Sequence, residues 1–239
     1  MPDLHVVKKE VTRALAHEAL AGLGCTDFGI VVLQGATSWD DAREGLAFNV
    51  THDERDAPFA VDDDGNELTN VKVSFSDEND YLAFAWAVTA PNSPLLGLGI
   101  DLASADDFGQ SHPAAERFIK LIFSDDEHRI AEELPTGDRA LSYATLFGAK
   151  EASFKSTSQP LRTWYQTHDQ ELSFEVRHFS MTMDGTERGE QRDGAAQRAM
   201  DHMGIGHIDV HYTRVENMAL VIATALAPQH DAEVTHGIS

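Results

Sequence analysis

The chain has 239 residues, 42% of them hydrophobic, which suffices for one large domain or two small ones packed together and rules out wholesale disorder. Its formal charge of −22, from 40 acidic and 18 basic residues, repels nucleic acid and reads as a strongly solvated surface. One cysteine, Cys25, excludes an intramolecular disulfide and a zinc site built on cysteines.

Met1-Pro2-Asp3-Leu4-His5 lacks a basic segment followed by an apolar run, so no signal peptide is expected. The longest apolar stretch, Met218 to Ala227, is about half of what a membrane span needs. A soluble, cytoplasmic protein with no membrane and no nucleic-acid partner is the expectation.

In chain order, Val11, Leu15, Ala16 and Leu20 share one face of a helix over 7–22, which Gly22 and Gly24 stop. Thr26 to Leu33 reads as a strand. Ser38-Trp39-Asp40-Asp41 can cap a short helix through Leu46. Asp62-Asp63-Asp64-Gly65-Asn66 lacks the ligand spacing and closing glutamate of a calcium loop and reads as a reverse turn. Val71–Phe75, Tyr81–Thr89 and Leu95–Leu102 read as strands, with Asp101 near the end of the last.

The centre is helical. Pro113–Phe123 carries Ala115, Phe118, Ile119 and Ile122 on one face, and Ser124-Asp125-Asp126-Glu127 is a capping box for a helix over 125–134. Arg139–Thr157 is a further helix that ends near Gln159-Pro160. Leu161–Gln166 and Leu172–Met181 are predicted as strands, Gly185–Gly194 as a charged loop, and Ala195–Met203 as a short helix. His207–Tyr212 and Met218–Ala227 are the last two strands. This order argues for α+β. The pair Val73–Phe75 and Tyr81–Thr89 is echoed by Ile208–Val210 and Met218–Ala227, which suggests two related subdomains.

Taken singly, the chemistry-bearing residues have ordinary explanations. Asp101 at a strand end can cap or face solvent. Glu151 and Lys155, four apart on a helix, form a common surface pair. Taken together, the oxygen-only pair Asp101 and Glu151 suits a hard cation such as Mg²⁺. A lysine one turn from a ligand carboxylate can meet phosphate oxygens. No Walker A loop and no kinase loop set is present. The histidines, including His202, His207 and His211, form no metal motif with a glutamate base and read as scattered surface residues.

Gly99-Ile100-Asp101 and Lys150-Glu151-Ala152-Ser153-Phe154-Lys155 resemble the two-part signature of the 4′-phosphopantetheinyl transferases. Phe108, and Arg117-Phe118 through Glu127 between the two parts, look like that family's connecting segment. The resemblance is strongest over 97–160. The length is similar to that of the larger, surfactin-type members, which are pseudo-dimers of two α+β halves. It implies a phosphopantetheinyl-transferase fold with an N-terminal subdomain over 1–95 and a C-terminal one over 96–239 that carries the signature, in a monomeric protein. It further implies metal binding by Asp101 and Glu151, catalysis by Glu151 and Lys155, and contacts to the cofactor from Lys150, Lys155 and Ser76. The co-substrate would be coenzyme A, the metal Mg²⁺, and the acceptor a serine of an acyl or peptidyl carrier protein.

The chain also departs from the family's pattern. Ala103, Ser104 and Asp107 stand where acids or a base are common in one or other branch. Asp77, after Ser76, stands in the place of a histidine that meets a coenzyme A phosphate, and Asn66 in the place of a basic residue. Most of these changes remove positive charge or add negative charge where a phosphate-rich cofactor should bind. Lys8, Lys9, Arg43 and Lys72 are the candidates to supply it instead. Three readings stay open: an active transferase on an unusual carrier, a relative with other chemistry, and a non-catalytic binding protein.

Overall fold

The computed structural model describes residues 5–6, 8–36, 45–109, 115–134, 138–168, 172–180, 186–187 and 194–228. Two four-stranded antiparallel sheets dominate it. The first runs β1 (His5–Val6), β2 (Cys25–Gln34), β6 (Tyr81–Thr89) and β5 (Val71–Glu78). The second runs β7 (Leu95–Ser104), β10 (Met218–Leu226), β9 (His207–Val215) and β8 (Thr186–Glu187). A separate hairpin joins β3 (Asn49–His52) to β4 (Pro58–Val61).

The two sheets share a connectivity. In each, one long strand is followed by an insertion and then by a hairpin whose second strand pairs with the long one: β2 with β6 and β5, β7 with β10 and β9. The hairpins are tight because single residues at their tips adopt the left-handed region, Asn79 at φ 56° and Glu216 at φ 55°.

Three cores follow from the alternation of side chains along these strands. Leu98, Ile100 and Leu102 of β7 meet Leu220 and Ile222 of β10, the alanines 83, 85 and 87 of β6, and Leu15, Ala16, Ala19 and Leu20 of α1 (Lys9–Leu20). The opposite face of the second sheet packs Ala103, Val221, Ala223 and Ala225 under Ala144, Ala149 and Ala152 of α4 (Arg139–Ser156). The outer face of the first sheet buries Phe84 and Val73 under the β3–β4 hairpin.

Small residues bring α4 onto β7. A Cβ on Gly99 would lie 1.9 Å from the Ala152 carbonyl oxygen, and one on Gly97 1.9 Å from that of Ser156. These glycines are required by close approach, not by backbone conformation.

The remaining helices are α2 (Ala115–Ile122), α3 (Asp125–Glu133), α5 (Ser158–Thr167) and α6 (Ala195–Met203). The capping box at Ser124 and Glu127 is formed. Two expectations fail. Residues 161–166 are helical in α5, not a strand. Pro160 is its third residue, where no intrahelical N–H bond is required, and Leu161, Trp164 and Tyr165 recur at helical spacing. Over 172–180 the chain is irregular around a 3₁₀ turn at Val176–His178. Its apolar residues Phe174 and Phe179 enter the α4 core singly, against Phe154, instead of alternating along a sheet. The short helix expected after Ser38 lies mainly outside the described residues.

The turn at 62–66 forms as expected. The Asp62 carboxylate accepts from the backbone of Asp64 and Asn66 and from the Asn66 side chain, and Gly65 takes φ 83°. These bonds, the Asn66 side chain first, hold the Asp62 carboxyl below its ordinary range.

Candidate active site

β5 and β7 are edge strands of different sheets, and serine side chains join them. Ser74 Oγ accepts from the Ile100 N–H at 3.0 Å, and Ser76 Oγ from the Leu102 N–H at 3.2 Å. Ser76 then donates to Asp101 Oδ1 at 2.8 Å. The hydroxyl thus satisfies an orphan backbone donor and orients a buried carboxylate at once.

Asp101 projects from β7 toward α4, between the small residues Gly99 and Ala103. It is 5% exposed. Lys155, on the last turn of α4, reaches the same oxygen, Nζ to Oδ1 2.6 Å. Burial pushes the Asp101 carboxyl above its ordinary range, against the opposing pull of Lys155 and Ser76. Glu151, one turn before Lys155, is raised as well, first by burial and then by the Asp101 charge. Glu151 therefore senses the Asp101 charge, the Asp101 carboxyl is itself raised further by Asp77, and a cation between Asp101 and Glu151 would relieve both. Among the described residues no group of three or more His, Cys, Asp or Glu side chains is placed to hold a metal. Two protein carboxylates with water and phosphate completing the shell remain a donor set that suits Mg²⁺.

Asp101, Glu151 and Lys155 line a cavity of about 450 Å³ together with Asp77, Glu78 and Asp107. Phe108, Phe118 and Phe147 form its apolar wall, with ring centroids 5.3 to 5.9 Å apart. Glu78 is raised by burial and then by the charges of Asp107, Asp101 and Asp77. A second cavity, about 610 Å³, shares Ser76, Asp77 and Lys155 with the first and extends past His52, Arg55, Tyr81 and Gln159.

The structure brings together Ser76, Asp101, Glu151 and Lys155 from three elements. Lys150 is not with them. It is 0% exposed, its ammonium lies 2.6 Å from Glu127 Oε1, and it donates to the Phe179 carbonyl. Its side chain fastens α3 and the 172–180 segment to α4, so the cofactor contact expected of it has a physical obstacle: the ammonium is enclosed and already paired. Lys72 is also buried, donates to the Thr69 carbonyl and lines a different cavity beside Trp164 and His202. Arg43 lies outside the described residues.

Sequence reasoning missed Arg55 and His52. Arg55 lies flat over Tyr165, guanidinium to ring centroid 3.6 Å. The only signal in the sequence was a basic residue in a polar, turn-rich stretch. Nearby, Arg162 of α5 makes a two-pronged pair with Glu67 at 2.8 and 3.0 Å and stacks on Phe59 at 3.4 Å. That cluster ties α5 to the β3–β4 hairpin and so fixes the second cavity's wall.

Residues 97–202 match the family model described as the 4′-phosphopantetheinyl transferase superfamily. Among solved structures, a holo-ACP-synthase from Plasmodium yoelii aligns at 18% identity, covering 56% of this chain and 97% of its own, with a TM-score of 0.40. No curated protein matches. The family match spans both signature segments, the strand bearing Asp101 and the helix bearing Glu151 and Lys155, and over 97–202 the chain is similar to the 4′-phosphopantetheinyl transferase superfamily.

Proposed function

We propose that the protein transfers the 4′-phosphopantetheine arm of coenzyme A to a serine of an acyl or peptidyl carrier protein, with Mg²⁺ held by Asp101 and Glu151. The observation that carries this reading is the meeting of Asp101, Glu151 and Lys155 on one cavity wall, inside the segment that matches the family. Mg²⁺, when bound, would neutralise charge on the pyrophosphate. Lys155, paired with Asp101 on the cavity wall, would meet the same phosphate oxygens. Ser76 holds the Asp101 carboxylate in one orientation. The aromatic wall of Phe108, Phe118 and Phe147 suits the uncharged pantetheine arm. In the reaction the serine oxygen bonds to the pantetheine-side phosphorus and the bond from that phosphorus to the bridging oxygen breaks. Glu151 takes the serine proton through water, and adenosine 3′,5′-bisphosphate leaves.

The matching connectivity of the two sheets supports a pair of related α+β subdomains, 1–95 and 96–239, with the site at the β5–β7 seam. Such a duplicated chain would act as a monomer.

The test is incubation with coenzyme A, Mg²⁺ and several apo-carriers, read by mass spectrometry for the gain of the phosphopantetheine arm. Transfer should occur with at least one carrier, and Asp101→Ala should lower it by about 10²-fold or more. No gain on any carrier, with no coenzyme A binding by calorimetry, overturns the reading. Undiminished transfer by Asp101→Ala removes the metal role of that residue.

A further inference from the structure

The charge around the two joined cavities bears on which donor they accept. The larger cavity offers Arg55 and Lys155 as cations, and Lys155 is already paired with Asp101. Against them stand Asp56, Asp77 and Asp80 on the same wall. The smaller cavity is more acidic still: among the described residues, Asp77, Glu78, Asp101, Asp107 and Glu151 line it with Lys155 as the one lysine or arginine. The same crowding raises the Glu78 carboxyl: after burial, the causes are three neighbouring carboxylates.

A pyrophosphate diester can be neutralised by a divalent cation and Lys155. A phosphomonoester elsewhere on the same ligand adds about −1.5 to −2 charge at neutral pH and needs its own cations. Among the described residues, Arg55 is the one lysine or arginine lining either cavity that Asp101 does not already engage, and Asp56, Asp77 and Asp80 line the same cavity. We propose that the preferred donor is the pantetheine pyrophosphate nucleotide without the 3′-phosphomonoester, dephospho-coenzyme A, and that Asp77 and Asp80 set this preference by repelling the monoester. The proposal rests on the phosphopantetheine-transfer reading and narrows its donor.

The experiment compares kcat/KM for dephospho-coenzyme A and coenzyme A on one carrier, at about 50 mM salt and again at about 1 M. At low salt dephospho-coenzyme A should be favoured by about threefold or more, and the ratio should fall toward one as salt screens the carboxylates. Asp77→Asn and Asp80→Asn together should move the ratio toward coenzyme A. A ratio below about threefold at low salt overturns the proposal, as does a preference indifferent to both salt and the two substitutions. If neither donor is consumed, the transferase reading fails. The ratio of dissociation constants for the two nucleotides, measured by calorimetry with Mg²⁺, then decides the charge argument by the same thresholds.

Discussion

Two buried lysines of this chain show how one residue type takes opposite roles. Lys150 is enclosed with Glu127, whose other oxygen accepts from the Ser124 N–H at 2.8 Å and so caps α3. Removing the lysine strands a buried carboxylate, so Lys150→Met should cost about 3–5 kcal/mol in chemical denaturation. Adding Glu127→Gln should recover part of that loss, because the neutral amide needs no counter-charge. Lys72 is different. Burial lowers its pKa below the ordinary lysine range, with Glu67 opposing in part. The unfolded chain therefore binds the proton more tightly than the native one, and stability rises with pH through the lowered pKa. Lys72→Met should be more stable than the parent at pH 7, and the gap in melting temperature should narrow as the pH approaches the ordinary lysine value of about 10.4.

At the scale of elements, the site depends on the contact of β7 with α4. Gly99 has two faces to its role: the signature motif contains it, and the Ala152 carbonyl oxygen occupies the space a side chain would need. Gly99→Ala should destabilise by about 3 kcal/mol, since backbone must move to admit the methyl group. At Gly148 the nearest obstacle is a Val221 methyl at 2.9 Å, with Asp101 Oδ2 at 3.5 Å. Gly148→Ala should therefore cost less stability than Gly99→Ala while still pressing on the Asp101 carboxylate. Denaturation midpoints of the two variants, set beside transfer rates, check this ordering. The β5–β7 seam adds a second dependence, because Ser76 links one sheet's edge to the other's carboxylate.

For the whole molecule, the charge of −22 dominates. Like charges spread over the surface repel each other, and salt screens that repulsion over about 10 Å at 0.1 M and about 3 Å at 1 M. Raising salt from about 0.05 to 1 M should raise the melting temperature; a fall would show that the surface acids are mostly paired. No helix among the described residues is long and apolar enough to cross a membrane. Much of this architecture was legible in the sequence. Alternation over 71–75, the nearly continuous apolar run over 81–89, the capping box at Ser124 and the apolar spacing of α1 are local signals, set by the residues that form each element. The two signature segments also carried the family resemblance, and the family match includes both. The sequence misled over 161–166 and 172–180, where short apolar runs do not fix the local structure until packing chooses. Nor does the sequence show the burial of Lys150, because a lysine in a signature motif looks the same whether its ammonium faces a cavity or a buried glutamate. By itself, then, the sequence determined most of the elements, the family resemblance and the grouping of Asp101 with Glu151 and Lys155. Only the tertiary structure decided that Ser76 is committed to Asp101, that Lys150 is a strut, and that Arg55 and the carboxylates of Asp77 and Asp80 line the adjoining cavity. The physical reason is range: helices and strands follow from neighbours in sequence, whereas burial, ion pairing and the charge of a cavity follow from residues far apart in sequence that packing brings together.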